Sequence, residues 1–172
     1  DETSVSDLAP LAHLVGLREL NLSRTHVTDI APLADLVALE WLSLEHTVVA
    51  DISALSTLEA LEDLTLDGSM VRDISPLARC RALRRLSLAG ISVRTLSAVA
   101  RLDSLTHLNA FGAPVSSLAP LRGLPSLAYL DIGGSAVRSL APLAGLVNTV
   151  SAGPVRTSWW TDDGGAATSS LL

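Results

Sequence analysis

The feature that most constrains this chain is a repeat of 22 residues that runs through it without an insertion. The blocks begin at Asp7, Asp29, Asp51, Asp73, Thr95, Ser117 and Ser139, and the seventh loses the pattern after SLAPLAGL. Residues 1–6 fit the end of the same pattern as a leading half-repeat. A tandem repeat of this size predicts a solenoid, in which each unit buries its apolar side against its neighbours.

Seven positions of each block carry apolar residues: positions 2, 5, 8, 11, 14, 16 and 21. In the first block these are Leu8, Leu11, Leu14, Leu17, Leu20, Leu22 and Val27. All 42 such positions in the six complete blocks are apolar, and 34 of the 172 residues are leucine. Positions 14 and 16 alternate with polar residues, which indicates a short strand with one buried face. Strands that recur every 22 residues must run parallel to one another.

A second signal predicts how the chain returns between strands. Proline occupies position 4 of five blocks, and proline suits the first turn of a helix. We therefore expect a short helical or 3₁₀ segment over Leu11–Leu14 and its equivalents. The Asp, Thr or Ser at position 1 is suited to capping that segment, because its side-chain oxygen can accept a backbone N–H.

The segment LRELNLSRTHV, residues 17–27, resembles the LxxLxLxx(N/T)xL core of the leucine-rich repeat family. The 22-residue length and the DISPL-type segment are similar to the internalin and phosphatase-regulator subclass, over residues 7 to about 146. The resemblance implies an α/β solenoid. This is a right-handed superhelix with a parallel β-sheet on its concave face and short helices or 3₁₀ turns on its convex face.

The repeat pattern also predicts the domain organisation. The solenoid is expected over residues 1–152, and residues 153–172 are expected to form a C-terminal cap and a flexible tail. Trp159 and Trp160 would cover the open apolar end of the last repeat. Because the first block is preceded by half a repeat, we expect the parent protein to extend upstream, with the degenerating end as its C-terminus.

The resemblance implies that the concave face is the binding surface for a partner. The expected partner-binding residues on it are Glu40, Trp41, Glu45, Asp63, Asp67, Arg85, His107, Phe111, Tyr129 and Asp131. Aromatic residues and arginine are enriched at the energetic centres of protein interfaces, and this chain has only one Tyr, one Phe and three Trp. The alternative is that these side chains only pack along the sheet and cover neighbouring strands.

Charge is distributed unevenly along the chain. Residues 1–67 hold 13 acids and 2 Arg, net −11, whereas residues 68–172 hold 5 acids and 10 Arg, net +5, which together give −6. This polarity predicts steering of a polarised partner, or a weak head-to-tail self-association. The alternative, which we favour at the junction of the two halves, is local pairing of Glu62 with Arg84 and of Asp63 with Arg85.

Several classes of function are disfavoured by what the sequence lacks. A net charge of −6 argues against nucleic acid as a partner, and no apolar run reaches the roughly 18 residues that span a membrane. Neither a cofactor nor a metal is expected, because His26 and His46 have no third ligand of evident spacing and Cys80 lies at a core position. No catalytic motif is present, so we predict that the chain is not an enzyme. The N-terminal segment DETSVSDLAP is acidic and has no apolar signal-peptide region, so a cytoplasmic location is expected.

The resemblance, taken with these exclusions, implies a non-catalytic protein-recognition module. We expect it to be the C-terminal ligand-sensing segment of a larger bacterial protein of the NTPase immune-receptor type. Two alternatives stay open. One is the repeat domain of a secreted, internalin-like adhesin or effector. The other is an enzyme, or an enzyme regulatory subunit, with a pocket on the concave face.

Overall fold

The computed structural model describes residues 4–144 and residue 146, which form one stack of repeats. Each repeat contributes one short strand and one 3₁₀ turn. The strands are β1 (Glu19–Asn21), β2 (Trp41–Ser43), β3 (Asp63–Thr65), β4 (Arg85–Ser87), β5 (His107–Asn109) and β6 (Tyr129–Asp131). The 3₁₀ turns cover Ala9–Leu11, Ala31–Leu33, Ser53–Thr57, Ser75–Arg79, Ser97–Arg101, Ala119–Leu121 and Ala141–Leu143.

The six strands form a single parallel sheet in the order β1 to β6. Each residue pairs with the residue 22 positions later, so that Leu42 lies opposite Leu64 and Leu64 lies opposite Leu86. The register of the sheet is therefore the period of the sequence, as predicted. The strands supply the concave face of the solenoid, and the 3₁₀ turns supply the convex face.

The core is a column of apolar side chains between the sheet and the 3₁₀ turns. In the second to fifth repeats all seven predicted positions are buried, with at most 2% of any side chain exposed. The first repeat differs because it has a full neighbour on one side only. Leu14 is 48% exposed there, whereas its equivalents Leu36 and Leu58 are fully buried. Burial in this fold therefore comes from stacking, and one repeat alone supplies little of it.

The cap predicted at position 1 is confirmed. A carboxylate oxygen of Asp7 accepts the N–H of Ala9 at 2.9 Å, and Asp29, Asp51 and Asp73 accept equivalent bonds at 2.8 Å. Hydroxyl groups replace the carboxylate in the later repeats, at 3.2, 3.2 and 3.3 Å, from Thr95, Ser117 and Ser139. The column of acids is therefore a set of local caps.

The extent predicted for the return segment is wrong. The turn begins at position 3 in every repeat. It covers three residues in four repeats, as in Ala9–Leu11, and five residues in the other three, as in Ser53–Thr57. The prediction of Leu11–Leu14 placed it too late, because the cap at position 1 fixes the start two residues downstream. The predicted cap and tail over residues 153–172, with Trp159 and Trp160, lie outside the described residues.

We expect truncation of a stacked leucine to cost far more than truncation of an end leucine at the same repeat position. Leu58→Ala should lower the free energy of unfolding by about 3 kcal/mol, because it leaves a cavity in a closed stack. Leu14→Ala should cost about 1 kcal/mol or less, since much of that side chain already contacts solvent. Urea unfolding followed by circular dichroism measures both, and equal losses would contradict the stacking account.

Candidate functional site

Five of the predicted partner-binding residues form one row across the centre of the concave face. Trp41, Asp63, Arg85, His107 and Tyr129 are direct partners on β2 to β6. Strands about 4.8 Å apart give this row a length of about 19 Å. Leucine follows each of the five in sequence and points into the core, so the row faces outward.

Four further predicted residues flank this central row. Glu40 lies directly before β2 on one side. On the other side Glu45, Asp67 and Phe111 lie two residues beyond the ends of β2, β3 and β5. The structure thus brings nine of the ten predicted residues together as a continuous surface about three side chains wide.

Asp131 is the exception, and its prediction as an exposed contact is wrong. It is only 3% exposed, and one carboxylate oxygen accepts the N–H of Gly133 at 2.8 Å. Burial raises the pKa of this carboxyl, while the bond from Gly133 and a bond from Tyr129 oppose that rise. Asp131 therefore supports the turn after β6 rather than facing a partner.

Ion pairs join the charged residues of neighbouring strands. Two nitrogens of the Arg85 guanidinium donate to the two carboxylate oxygens of Asp63, at 2.5 and 2.7 Å. This hydrogen bonding raises the pKa of Arg85. Arg84 pairs with Glu62 at 3.4 Å, so the local pairing favoured at the junction is confirmed. Exposed pairs of this kind contribute about 0–1 kcal/mol.

Arg18 and Glu40, which directly precede β1 and β2, form the same kind of pair two strands earlier, with the guanidinium 2.8 Å from the carboxylate. Glu40, Asp63 and Arg85 are therefore already engaged within the sheet, and a partner would compete with those bonds. Glu45 is held more loosely, because its contact at 3.4 Å is with the adjacent ring of His46.

A polar chain that the sequence did not predict runs beside the central row. Asn109 donates to the hydroxyl of Ser87 at 3.0 Å, and that hydroxyl donates to Asp67 at 2.8 Å. Asp67 also accepts the N–H of Ala89 at 2.8 Å. Burial raises the pKa of Asp67, and the two hydrogen bonds partly oppose the rise. The only sequence signal was that position 15 is polar in every repeat.

Aromatic rings occupy the other half of the face. The rings of His107 and Tyr129 stack, with their centres 5.7 Å apart and their planes inclined by 17°. Burial and then the charge of Arg85 lower the pKa of His107. Burial and then the carboxylate of Asp131 raise the pKa of Tyr129 to about 12.

Phe111 is the most exposed of these rings, with 54% of it open to solvent. It lies over Gly133, because a Cβ added to that glycine would be 2.9 Å from the Phe111 ring. The absence of a side chain at position 17 of the sixth repeat therefore lets the ring lie across the next strand. This requirement could not be recognised before the register was known.

The turn after each strand requires a residue in the left-handed region. Glycine fills this place in four repeats, but Arg24 and His46 adopt it with φ of 56° and 51° in the first two. Such residues carry backbone strain that glycine avoids. An open, shallow depression lies beside them, lined by Arg24, Thr25, His26, His46 and Val48.

Comparisons with solved structures identify proteins that share this fold. No protein-family model matches the chain, and no curated protein matches it. Internalin C2 from Listeria monocytogenes superposes with a TM-score of 0.80 at 32% identity, over 85% of this chain. Internalin F from the same organism gives a TM-score of 0.83 at 32% identity, over 90% of this chain.

The chain has the leucine-rich repeat fold of these bacterial proteins. Its fold is the right-handed solenoid that the resemblance implied. A leucine-rich repeat protein from Leptospira interrogans has the same fold, with a TM-score of 0.78 at 18% identity over 87% of this chain. The chain spans 65% of the length of internalin C2, 45% of internalin F and 40% of the Leptospira protein.

Two further properties of this leucine-rich repeat chain concern the described residues alone. They contain no group of three or more His, Cys, Asp or Glu side chains that could hold a metal ion. His26 and His46 share the shallow depression, but no third ligand joins them there. No helix within residues 4–144 is long and apolar enough to cross a membrane.

The raised pKa of Asp67 predicts a pH-dependent effect of removing its charge. In the unfolded chain this pKa returns to about 3.9, so the folded state holds the proton more tightly. The free energy of unfolding therefore falls as the pH rises from the unfolded-state pKa of Asp67 to its higher folded-state pKa. Above the folded-state pKa, the full cost of burying the charged carboxylate is present. Asp67→Asn should raise the melting temperature at pH 7, and the gain should vanish below pH about 3.9.

Asp63→Asn is the matched control, because it also removes one carboxylate charge from the concave face. Unlike Asp67, Asp63 is in an ion pair with Arg85, which this substitution breaks. It should leave the melting temperature unchanged or lower it at pH 7. A melting temperature for Asp67→Asn that lies below that of the unmodified chain at pH 7 would contradict the account.

Proposed function

We propose that the concave sheet of this chain is a non-catalytic surface for recognising another protein. The observation that carries the proposal is the outward-facing row from Trp41 to Tyr129, with Phe111 and Glu45 beside it. Rigid aromatic side chains on a continuous sheet give large contact area at a low cost in conformational entropy. The leucine-rich repeat neighbours support a protein-interaction module.

We further propose that the module is the ligand-sensing segment of a larger bacterial protein of the NTPase immune-receptor type. The predicted cytoplasmic location belongs to this proposal. The paired charges on the concave face support a recognition surface that is held rigid before a partner arrives. Sequencing of the complete reading frame tests this, since a nucleotide-binding domain on the same chain is expected.

A secreted adhesin or effector is the second candidate, and the similarity to two internalins at 32% identity favours it. Both candidates use the same surface, so they differ in what accompanies this chain and in where the protein is found. Fractionation of the native host with an antibody to this chain separates them. Recovery from the culture medium supports the adhesin and rules out the receptor.

Substitutions of aromatic side chains on the concave face should test the binding surface. Phe111 is exposed and Trp41 is half-buried, so the melting temperature of each variant is measured together with its binding. Trp41→Ala and Phe111→Ala should each weaken binding by about thirtyfold, as expected for an interface centre worth about 2 kcal/mol. Tyr129 is less suitable, because its hydroxyl is buried and its loss would disturb the fold. Val37→Ala is the matched control, since Val37 is an exposed apolar residue outside the concave sheet.

Peptides selected from a random library displayed on phage supply a defined ligand for this measurement. In a Trp159→Phe, Trp160→Phe background Trp41 is the one remaining tryptophan, so its fluorescence reports binding at the row directly. A shift in emission that Phe111→Ala weakens and Val37→Ala preserves supports the proposal. Selected peptides that bind Phe111→Ala as tightly as Val37→Ala would overturn it.

A further inference from the structure

The convex face carries opposite charges at its two ends. Positions 22 and 1 are consecutive in the chain and form one column along the solenoid. Its charged residues are Asp7, Asp29 and Asp51 in the first half, and Arg72, Arg94 and Arg138 in the second half. All six are exposed. Arg72 and the adjacent Asp73 lie at the midpoint, where the sign changes.

These charges are not used within the part of the chain that the structure describes. The four ion pairs among the described residues leave out Arg72, Arg94 and Arg138. Asp7 and Asp51 each use one carboxylate oxygen for the cap, and the second oxygen accepts no hydrogen bond from a described residue. Three ion pairs thus join charged residues of neighbouring repeats on the concave face, whereas the charges of the convex column form none among the described residues.

The column also lies on a surface that another molecule can approach closely. The neighbouring position 3 is alanine or serine in all seven turns, so no large side chain shields the charges. Neighbouring repeats are about 4.8 Å apart, which places like charges such as Arg72 and Arg94 one step from each other. Opposite charges brought to the column by another molecule would reduce that repulsion, most of all at low salt.

We propose that two copies of this chain pair through their convex faces in antiparallel orientation. The two-fold axis crosses the solenoid beside Arg72 and Asp73. Asp51 lies one repeat before this midpoint and Arg94 one repeat after it, so each meets the other in the second copy. Asp7 and Arg138 lie three repeats away on either side and are also opposite in charge, whereas Asp29 meets the uncharged Ser117, so the central Asp51–Arg94 contacts carry the pairing.

The alternative orientations fit the charges less well. A parallel pairing of convex faces sets Asp51 against Asp51 and Arg94 against Arg94, which is repulsive throughout. The antiparallel pairing is isologous and closed, so it gives a dimer and no longer assembly. The head-to-tail association predicted from the sequence would instead be open-ended.

The size of the face predicts a weak dimer. Six repeat steps of about 4.8 Å and a turn about 10 Å long give an area of about 300 Å² on each copy. A stable interface buries about 800 Å² on each partner. Pairing therefore depends on charge and should disappear when salt screens it.

Sedimentation velocity of the full chain over a concentration series tests the pairing. At about 20 mM salt a monomer–dimer equilibrium is expected, and at about 500 mM salt the monomer alone. Arg94→Glu should raise the dimer dissociation constant by about tenfold, because the changed contact occurs twice. Arg24→Glu makes the same charge change on an exposed turn outside the convex face, and it should weaken pairing by less than Arg94→Glu.

Charge exchange then tests the orientation. Asp51→Arg combined with Arg94→Glu restores opposite charges across the axis, so dimerisation should return. Because Asp51→Arg removes a cap, the melting temperature of this variant is measured as well. Asp51→Asn keeps the capping oxygen and should weaken pairing by about threefold, which provides a test if the double variant does not fold.

Arg79 provides an opposite prediction. It is exposed at the end of the turn that lies on the two-fold axis, and it would face its own symmetry mate. Arg79→Ala should therefore strengthen the dimer. A monomer at every concentration in low salt, a mass that grows beyond the dimer, or equal effects of Arg94→Glu and Arg24→Glu would each overturn the proposal.

Discussion

The stacking of apolar side chains at intervals of 22 residues is the interaction on which the whole structure depends. Each strand has only three residues, too few for a stable sheet of its own. The strands persist because the leucines beneath them are buried between the previous repeat and the next one. This packing sets the register of the sheet, and the register sets which polar side chains become neighbours.

Once the register is fixed, the neighbours of most residues on the concave face can be predicted from the 22-residue spacing. Residues 22 apart become neighbours, so the row from Trp41 to Tyr129 and the pairs of Asp63 with Arg85 and Glu62 with Arg84 could be predicted. The caps could be predicted for the same reason, since position 1 carries a short oxygen-bearing side chain in every repeat. These features depend on the repeat and on nothing else.

Other features depend on side-chain direction, which the repeat does not specify. Asp131 belongs to an outward-facing position, yet it turns to the N–H of Gly133 and is buried. Phe111 lies across the next strand because Gly133 has no side chain to prevent it. The 3₁₀ turn begins earlier than predicted because the side chain at position 1 caps the N–H only two residues later. The spacing of the leucines does not indicate where this turn begins.

The parallel sheet has a further consequence for how the chain opens. Among residues 4–144, every contact between elements joins neighbouring repeats, so no described element holds the two ends of the stack together. Local opening should begin at the first described repeat, where Leu14 is exposed, and its free energy should rise toward β3 and β4. Amide hydrogen exchange would then be graded along the solenoid axis. The slowest amides would lie beneath Asp63 and Arg85, at the centre of the concave face.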